Sequence, residues 1–302
     1  MTSQTIAAAA AGTWQLGDLT VNRVGFGAMR LPQTGEALIP GAVPRDRDQA
    51  ISVLRRAVEL GVNLIDTAAF YFSPLRSANE LINRALAPYP DDLVIATKVG
   101  PGRDPSGHWL PHATLEQLRG QVEENLRQLG RDHLDVVNLR IVGTDSIAER
   151  FGALAELRDA GLIRHLGISN VTPAHLAEAR AVAPVVCVQN AYGLGMRPDQ
   201  DDFVRSCGDQ GVAFVPFYAI AATHGQAGAS EDDAPEVVAA ARAHGVSPAQ
   251  IRIAWTLHRG RHVLAIPGTG DRGHLADNVA AGGLRLSEDE LAVLEAAHRR
   301  AS

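Results

Sequence analysis

Short apolar runs alternate with amphipathic stretches along nearly the whole chain. Each run is short enough for a buried strand, and each amphipathic stretch repeats its apolar positions with the period of a helix. Eight such pairs follow one another, and their apolar runs cover residues 23–27, 63–68, 93–99, 134–140, 163–169, 185–190, 212–218 and 262–268. The helices that follow these runs cover 48–61, 77–87, 114–130, 146–161, 172–183, 199–211, 233–245 with 247–260, and 274–283.

This order of elements predicts the fold. Strands that alternate with helices indicate a parallel sheet, and eight pairs favour closure into a (β/α)8 TIM barrel. The alternative is an open, doubly wound sheet, which usually has fewer strands. An N-terminal β-hairpin that turns at Gly17 and Asp18 precedes the first pair, and an extra C-terminal helix over 286–299 follows the last. No low-complexity linker divides the chain, so residues 1–302 are predicted to form one domain, with 1–12 as a loose N-terminus.

Composition narrows the class of protein. The 302 residues are 46% hydrophobic and 21% charged, which supplies a large core. A net charge of -6 and a pI near 6.0 argue against a nucleic-acid partner, which needs a basic face. No segment has the length and apolarity of a membrane span, and the early run TIAAAAAG lacks the basic start of a signal peptide. The two cysteines, Cys187 and Cys207, form no disulfide framework, which favours the cytoplasm.

Nearly every predicted strand ends on a polar or ionisable residue. In a barrel these carboxyl ends meet on one rim, where active sites are built. A purely structural barrel does not need such ends, so we expect an active site on this rim. In strand order the residues are Gly27 and Met29, Asp66, Lys98, Asn138 and Arg140, Ser169 and Asn170, Gln189 and Asn190, Phe217 and Tyr218, and Gly268, Thr269 and Gly270.

Asp66, Tyr71 and Lys98 belong to adjacent strand ends in this arrangement. Singly, Asp66 fits a turn cap, Lys98 an ion-paired barrel lysine, and Tyr71 a half-buried aromatic residue. Together they form a chain in which Asp66 holds Lys98 and the ammonium stabilises a tyrosinate. We expect this to lower the pKa of Tyr71 from its usual value of about 10 towards neutrality, so that the phenol can protonate a carbonyl oxygen.

The run GTGDRG at 268–273 follows a predicted strand and precedes a helix. It fits a dinucleotide-binding glycine pattern, but no strand ending in Asp or Glu follows about 20 residues later. In a barrel, phosphate groups bind beside the last strands and a helix N-terminus, and we expect Arg272 to contact a phosphate there. A tight strand-to-helix turn is the alternative reason for these glycines.

Six motifs stand in an order and at a spacing that resembles the aldo-keto reductase family. They are GFGAM, LIDTAAFY, ATKVG, HLGISN, CVQN and IPGTGDRGHLADN, and the likeness extends from about Leu16 to Leu294. The resemblance implies a (β/α)8 barrel with a nicotinamide cofactor, usually NADPH, extended across the rim. It also implies reversible carbonyl reduction by hydride transfer.

Position by position, Asp66, Tyr71 and Lys98 match the family's catalytic aspartate, tyrosine and lysine. The fourth catalytic position departs from the family, because Arg140 stands where a histidine is usual. Some bacterial members of the pyridoxal-reductase type are similar here, which makes pyridoxal a candidate substrate. A guanidinium is a poor proton donor and a good fixed cation, so Arg140 is expected to hold the carbonyl oxygen or a substrate phosphate. The alternative is a structural ion pair between Arg140 and Asp66.

The resemblance also implies the residues of a cofactor site. Those matched to the carboxamide of the nicotinamide are Ser169, Asn170 and Gln189, and Phe217 takes the place of the aromatic residue that stacks on the ring. Gly268 and Thr269 begin the segment around the adenosine 2′-phosphate, and Asp277 and Asn278 match an acidic–Asn pair near the adenine. The frequent lysine of that segment is absent, which weakens the preference for NADP over NAD, and Arg272 or His274 is the candidate for the missing charge. The predicted cofactor set is completed by Gly27, Met29, Tyr218 and Gly270.

The substrate pocket is predicted between loops of the same rim. Its residues are Phe70, Trp109 in the loop 100–112, and Arg140, together with those that follow Gly27. The small-residue loop 219–233 is expected to close over the cofactor. The expected partner is a small carbonyl compound, and the sequence decides neither its identity nor the choice between a monomer and a homo-oligomer.

Two other functions fit the same residues. A lyase would use Lys98 as a Schiff-base nucleophile. A non-catalytic NADPH-binding barrel would tolerate Arg140 in the histidine position. No metal site is predicted, because the pairs His108/His112 and His258/His262 have no carboxylate or cysteine cluster beside them.

Overall fold

The structure of the protein, a computed structural model, describes residues 7–220 and 233–300. Within these residues the strands are β1 (Thr13–Leu16), β2 (Leu19–Asn22), β3 (Phe26–Gly27), β4 (Leu64–Asp66), β5 (Phe72–Ser73), β6 (Arg76–Ser77), β7 (Val94–Val99), β8 (Leu134–Arg140), β9 (Ile163–Ser169), β10 (Val185–Gln189) and β11 (Ala213–Phe214). The helices are α1 (Arg47–Glu59), α2 (Ala78–Leu86), α3 (Leu115–Leu129), α4 (Ala148–Asp159), α5 (Pro173–Val182), α6 (Asp201–Asp209), α7 (Pro235–His244), α8 (Pro248–His258), α9 (Arg272–Ala280) and α10 (Glu288–Arg300). Short 3-10 helices cover Ala8–Ala11, Ala28–Arg30, Pro198–Gln200 and Ala281–Gly283.

In the described part of the chain, seven strands form one parallel sheet in the order β3–β4–β7–β8–β9–β10–β11. Residues 262–265 take the eighth place, because parallel bridges join Val263 to Phe214 and Ala265 to Val24. Hydrogen bonds support both seams: the Leu264 amide donates to Phe214 O at 2.9 Å, and the Gly25 amide donates to Ala265 O at 2.8 Å. The last strand therefore meets the first. This closure confirms the predicted (β/α)8 barrel and excludes the open, doubly wound sheet.

The helices begin and end where local chemistry satisfies their free backbone groups. Thr114, Thr172 and Ser247 begin α3, α5 and α8 with capping boxes, in which the side chain accepts from the third helical amide. Gly130 and Gly245 end α3 and α7 in the left-handed conformation, with φ of 63° and 64°. A side chain is strained there, so glycine ends these helices at low cost.

The hairpin β1–β2 covers the N-terminal end of the barrel. Leu16 and Val21 are almost fully buried, and they pack in one apolar cluster with residues near the starts of the barrel strands, including Leu64 and Val94. In the turn, the carboxylate of Asp18 lies 2.6 Å from Arg164 and 2.5 Å from His165 of β9. Because the hairpin closes this end, the carboxyl ends of the strands form the open rim.

The N-terminal residues are more ordered than the sequence predicts. Residues 8–11 form a 3-10 helix, Ala8 is fully buried, and its amide donates to Leu60 O at 2.9 Å. Ala11 of the same 3-10 helix also packs closely on Gly282, since a Cβ added to Gly282 would lie 2.9 Å from the Ala11 Cβ. The expectation of a loose terminus over 1–12 is therefore wrong for residues 8–11. No helix of the described ranges is long and apolar enough to cross a membrane.

Some strands have the predicted length and others are shorter. β8 and β9 have the predicted bounds, whereas the run 212–218 shortens to β11 followed by a single bridge between Phe217 and Ala191. The small antiparallel hairpin β5–β6, directly after Tyr71, is not predicted. Two-residue strands are too short to leave a periodic signal, so only the three-dimensional structure reveals them.

His262 and His298 make the stability of the fold depend on pH. They are 8% and 0% exposed, and burial lowers the pKa of each ring below its ordinary value of 6.5. Below pH 6.5 the two rings are protonated in the unfolded chain but stay largely neutral in the folded chain. The free energy of unfolding therefore falls as the pH falls. We expect the free energy of unfolding to drop between about pH 7.5 and 5.5 by up to about 1.4 kcal/mol for each histidine.

Urea unfolding at the two pH values measures this drop. In His262→Gln the free energy of unfolding is expected to drop less between the two pH values, because glutamine does not titrate and the contribution of His262 is removed. An equal drop in the variant and the parent protein would contradict the assignment.

Candidate active site

The predicted Asp66–Lys98 pair is present at the open rim. Asp66 ends β4, Lys98 lies in the neighbouring strand β7, and both are buried. Lys98 Nζ lies 2.6 Å from Asp66 Oδ1 and donates to Thr67 O at 3.0 Å. The second carboxylate oxygen, Oδ2, accepts from Gln189 Nε2 at 2.7 Å. Both oxygens of this buried carboxylate thus have partners, which its charge requires.

Tyr71 stands beside this pair on the turn after β4. Its amide donates to Ala68 O at 3.0 Å, and its carbonyl accepts from the first amide of α2, that of Ala78, at 2.9 Å. Lys98 Nζ lies 5.0 Å from the centroid of the Tyr71 ring. The structure therefore brings together all three residues of the predicted catalytic group.

The direction of the Tyr71 pKa is opposite to the prediction. Burial raises the pKa of the phenol above its ordinary value, and the positive charges of Lys98 and Arg140 reduce this shift without reversing it. Burying a phenolate costs more than the neighbouring positive charges recover. Tyr71 is consequently a neutral phenol at physiological pH, which is the form that donates a proton.

Lys98 remains charged. Burial by itself would lower the pKa of the ammonium, but Asp66 and Tyr71 more than compensate, so the pKa is raised. A Schiff-base nucleophile needs a neutral amine. The paired, charged state of Lys98 therefore argues against the lyase alternative.

Arg140 ends β8 and points into the same site. Its guanidinium donates to Ser169 Oγ at 3.1 Å and lies 4.9 Å from the centroid of the Phe217 ring. Asp66 is already paired with Lys98 and Gln189, and Arg140 forms no salt bridge with any carboxylate of residues 7–220 and 233–300. The alternative of an Arg140–Asp66 ion pair is therefore wrong.

An open cleft of about 180 Å³ joins these side chains to one another. Eleven of the predicted site residues line it: Gly27, Met29, Asp66, Phe70, Tyr71, Lys98, Trp109, Arg140, Phe217, Tyr218 and Gly268. Arg30 and Leu38 also line it and are not predicted individually, because they belong to a loop without periodic pattern. Residues 221–232 of the loop predicted to close over the cofactor lie outside the described residues.

The residues matched to the carboxamide lie side by side at the rim. Asn170 has φ of 60° and is anchored by its amide to Gln189 O at 2.9 Å and by its side chain to Ile141 O at 3.0 Å. Gln189 is 1% exposed, and its Oε1 is a buried acceptor without a partner among the described residues. An orphaned buried acceptor is costly unless a donor arrives. The amide nitrogen of a nicotinamide is such a donor, so Gln189 and its neighbours fit this group.

Close packing explains two of the glycines in the cofactor set. A Cβ on Gly268 would lie 2.4 Å from Gly27 O, and one on Gly27 would lie 2.6 Å from Ile266 O. The first and last barrel strands approach too closely here for any side chain. Close approach of these two strands therefore accounts for glycine at both positions.

The start of α9 differs from the phosphate site inferred from the sequence. The carboxylate of Asp271 accepts from the amides of Gly273 and His274 at 2.7 and 2.9 Å, so the chain caps its own helix. Arg272 lines a separate groove along α1, beside Asp48. The arginine that lies against Gly270 is Arg45, which was not predicted. Its Nη1 is 3.5 Å from the carbonyl oxygen of Gly270.

The remaining predicted residues are distributed around this segment. Thr269 Oγ1 accepts from the Asp271 amide at 3.1 Å. On α9, Asp277 is exposed and Asn278 is buried. Asn138 and Asn190, from the wider rim set, form hydrogen bonds with Thr97 O and Val171 O and so stabilise the rim itself.

Two of the four paired histidines bond to the backbone. His112 Nε2 lies 2.8 Å from Arg140 O, and His262 Nε2 lies 2.8 Å from Val204 O. No group of three or more His, Cys, Asp or Glu side chains within the described ranges is placed to hold a metal ion.

The site is thus a buried Asp–Lys pair beside a tyrosine, on the open rim of a closed parallel barrel. The chain belongs to the aldo/keto reductase family, whose model matches residues 23–299. This match confirms the predicted family, and with it the predicted enzyme class, an oxidoreductase.

Relatives and solved structures agree with this assignment. Pyridoxine 4-dehydrogenase of Escherichia coli (strain K12) is 42% identical over 295 residues, which cover 95% of this chain and 98% of that protein. An uncharacterised oxidoreductase of Schizosaccharomyces pombe is 37% identical, with 97% of this chain and 92% of that protein covered. The thermostable aldo-keto reductase Tm1743 in complex with epalrestat has a TM-score of 0.78 and 27% identity, over 94% of this chain and 99% of that chain. An aldo/keto reductase from Klebsiella pneumoniae in complex with NADP and acetate has a TM-score of 0.73 and 25% identity, over 92% of each chain.

Proposed function

We propose that this protein is an NADPH-dependent carbonyl reductase that converts an aldehyde or ketone to an alcohol, with Tyr71 as the proton donor. The observation that carries the proposal is the place of Tyr71, which lines an open cleft beside the buried Lys98–Asp66 pair. Burial raises the pKa of this phenol, which favours the proton-donating form. NADPH, when bound, supplies the hydride. The orphaned Oε1 of Gln189 and the ring of Phe217 support a nicotinamide at this place, and the Klebsiella pneumoniae relative was crystallised with NADP.

The side chains divide the proton chemistry between them. Tyr71 donates its proton as negative charge develops on the carbonyl oxygen. Lys98 stabilises the phenolate that remains, because its ammonium is close to the ring and cannot move away from Asp66. Asp66 holds the ammonium in place, and Gln189 fixes the other oxygen of that carboxylate.

We propose that Arg140 holds the carbonyl oxygen of the substrate. Its guanidinium lines the cleft and has no carboxylate partner in the described part of the chain, so donors remain for an oxygen atom. A charge-assisted hydrogen bond is worth about 1.5–3 kcal/mol, so Arg140→Met is expected to lower kcat/KM for aldehydes about 10- to 100-fold. Steady-state kinetics measures this loss.

The matched control for Arg140 is Arg119→Met, which removes an exposed arginine from α3. Cofactor binding is expected to be nearly the same in both variants. Equal kcat/KM values in the two variants would show that Arg140 does not hold the substrate.

We propose pyridoxal as the substrate. The support is the 42% identity with the Escherichia coli pyridoxine 4-dehydrogenase and a cleft with two aromatic side chains, Phe70 and Trp109, beside Arg140. Pyridoxal has a phenolic oxygen next to its aldehyde, and the two oxygens together match the paired donors of a guanidinium.

A panel of three aldehydes tests substrate and mechanism together. With NADPH, pyridoxal and salicylaldehyde, which have the neighbouring oxygen, are expected to turn over faster than benzaldehyde, which lacks it. Arg140→Met is expected to remove this difference. Cofactor binding without turnover of any aldehyde would favour the non-catalytic barrel, and a borohydride-trapped adduct at Lys98 without cofactor would favour the lyase.

We also propose that the protein acts as a single domain in the cytoplasm. The support for the cytoplasm is that Cys187 and Cys207 are both free and buried. Free thiols are typical of a reducing compartment. Cell fractionation followed by immunodetection tests the location.

A further inference from the structure

Arg103 is a nearly buried arginine for which the proposed reaction has no role. It lies in the loop between β7 and α3 and is only 9% exposed. Among the described residues its guanidinium forms no salt bridge within 4 Å, and the carboxylate of the neighbouring Asp104 accepts from the amide of His108 at 2.9 Å. A buried guanidinium without a carboxylate needs other acceptors for its five N–H groups.

Four backbone carbonyl groups supply these acceptors. Nε donates to Gly107 O at 3.0 Å, and Nη2 donates to Ile39 O at 3.1 Å. Nη1 donates to two carbonyls at once, those of Phe70 at 3.2 Å and Phe72 at 2.9 Å. The four acceptors belong to three different loops of the rim, which one planar group thereby connects.

The two carbonyls that share Nη1 flank the catalytic tyrosine. Tyr71 stands between Phe70 and Phe72, so Arg103 holds the backbone on both sides of the proton donor. The guanidinium also packs on the ring of Phe72, 4.5 Å from its centroid, and lies 5.9 Å from that of Trp109.

The three connected loops also form the walls of the cleft. Trp109 and Phe70 contact each other with ring centroids 5.6 Å apart. Each loop contributes at least one wall residue, namely Leu38 from the first, Phe70 and Tyr71 from the second, and Trp109 from the third. A shift of Arg103 would therefore move the proton donor and the substrate walls together.

We infer that Arg103 is a positioning residue of the active site, which fixes the backbone of Tyr71 and ties it to the two other loops of the substrate cleft. This inference rests on the proposed function of Tyr71. Small displacements of reacting groups are costly, since a shift of about 1 Å lowers rates about 10²-fold. Among the described residues, Arg103 is the side chain that forms hydrogen bonds to all three loops.

The test compares Arg103 with an arginine of the same local chemistry far from the cleft. Arg23 donates to four carbonyls, of Ala11, Leu257, Gly260 and Val263, near the N-terminal end of the barrel. Arg103→Ala is expected to lower kcat about 10²-fold and to raise KM for the aldehyde, with cofactor affinity nearly unchanged. Arg23→Ala is expected to lower the melting temperature without changing kcat per folded molecule. A kcat for Arg103→Ala equal to that of Arg23→Ala would overturn the inference.

Chemical rescue separates positioning from a general loss of stability. Methylguanidinium added to Arg103→Ala can occupy the space of the missing head group and donate to the same carbonyls. We expect it to restore kcat at least about tenfold in this variant and to leave Arg23→Ala unaffected. If Arg103→Ala does not fold, Arg103→Lys takes its place, because an ammonium keeps the charge but cannot reach all three loops. Wild-type kcat in Arg103→Lys would overturn the inference.

Hydrogen exchange tests the inference without any turnover. Amides in the segments 68–78 and 101–112 are expected to exchange faster in Arg103→Lys than in the wild type, while those of β8 and β9 stay protected. Faster exchange in an enzyme that reduces no aldehyde would contradict the proposed function and leave the positioning role standing. Unchanged exchange in these segments would contradict the positioning role alone.

Discussion

Tyr71→Phe is expected to lower kcat for aldehyde reduction about 10²- to 10⁴-fold, the usual contribution of a positioned general acid. The substitution removes one oxygen atom and leaves the ring, so the packing against Phe70, with centroids 5.1 Å apart, is kept. Cofactor affinity is expected to stay nearly unchanged, because Gln189 and Phe217 are not touched. Single-turnover kinetics with NADPH measures the chemical step, and fluorescence titration measures binding.

The matched control for this prediction is Tyr89→Phe. Tyr89 is half-buried, and its phenol donates to Leu129 O at 2.6 Å outside the cleft. The same atom is removed, so any general effect of losing a buried phenol appears in both variants. Full turnover in Tyr71→Phe would contradict the proposed mechanism, whatever the result for Tyr89→Phe.

Lys98→Met is expected to reduce both stability and turnover. It leaves Asp66 as a buried carboxylate without its ammonium partner, and breaking a buried pair in this way costs about 3 to 5 kcal/mol. Turnover is expected to fall as well, because the phenolate of Tyr71 loses the charge that stabilises it. Urea unfolding gives the loss of stability, and kcat per folded molecule gives the loss of catalysis.

The double variant Asp66→Asn with Lys98→Met separates the two effects. Removing both charges relieves the uncompensated carboxylate, so most of the lost stability is expected to return, whereas turnover is not. Arg56→Met breaks the exposed pair with Glu59 on α1 and is expected to cost less than about 1 kcal/mol. A Lys98→Met protein as stable as Arg56→Met would contradict the buried-pair argument.

Much of the fold follows from local pattern. The bounds of β8 and β9 agree with their apolar runs because a strand of seven residues leaves a clear signal. The N-terminal hairpin was predicted from the Gly17–Asp18 turn. The two-residue hairpin β5–β6 was not predicted, since its formation depends on the loops around it.

The candidate site shows the same division. Asp66, Tyr71 and Lys98 were predicted because strand ends of a parallel barrel share one rim, and they meet there. The role of Arg103 was not visible, because it depends on carbonyl groups from three loops that only the folded chain brings together. Arg272 was predicted to contact a phosphate from its place in the glycine run, and in the structure it lines a separate groove along α1.

The sequence by itself determined the order of the elements and the polar side chains at the predicted strand ends, and it favoured the closed barrel, because hydrophobic periodicity is a property of neighbouring residues. Only the tertiary structure decided the protonation and the partners of those side chains. Burial outweighs the charge of Lys98 and keeps Tyr71 neutral. Gln189 and Lys98 occupy both oxygens of Asp66 and leave Arg140 facing the cleft. Desolvation and hydrogen-bond competition depend on distances between segments far apart in the chain, and no local pattern contains those distances.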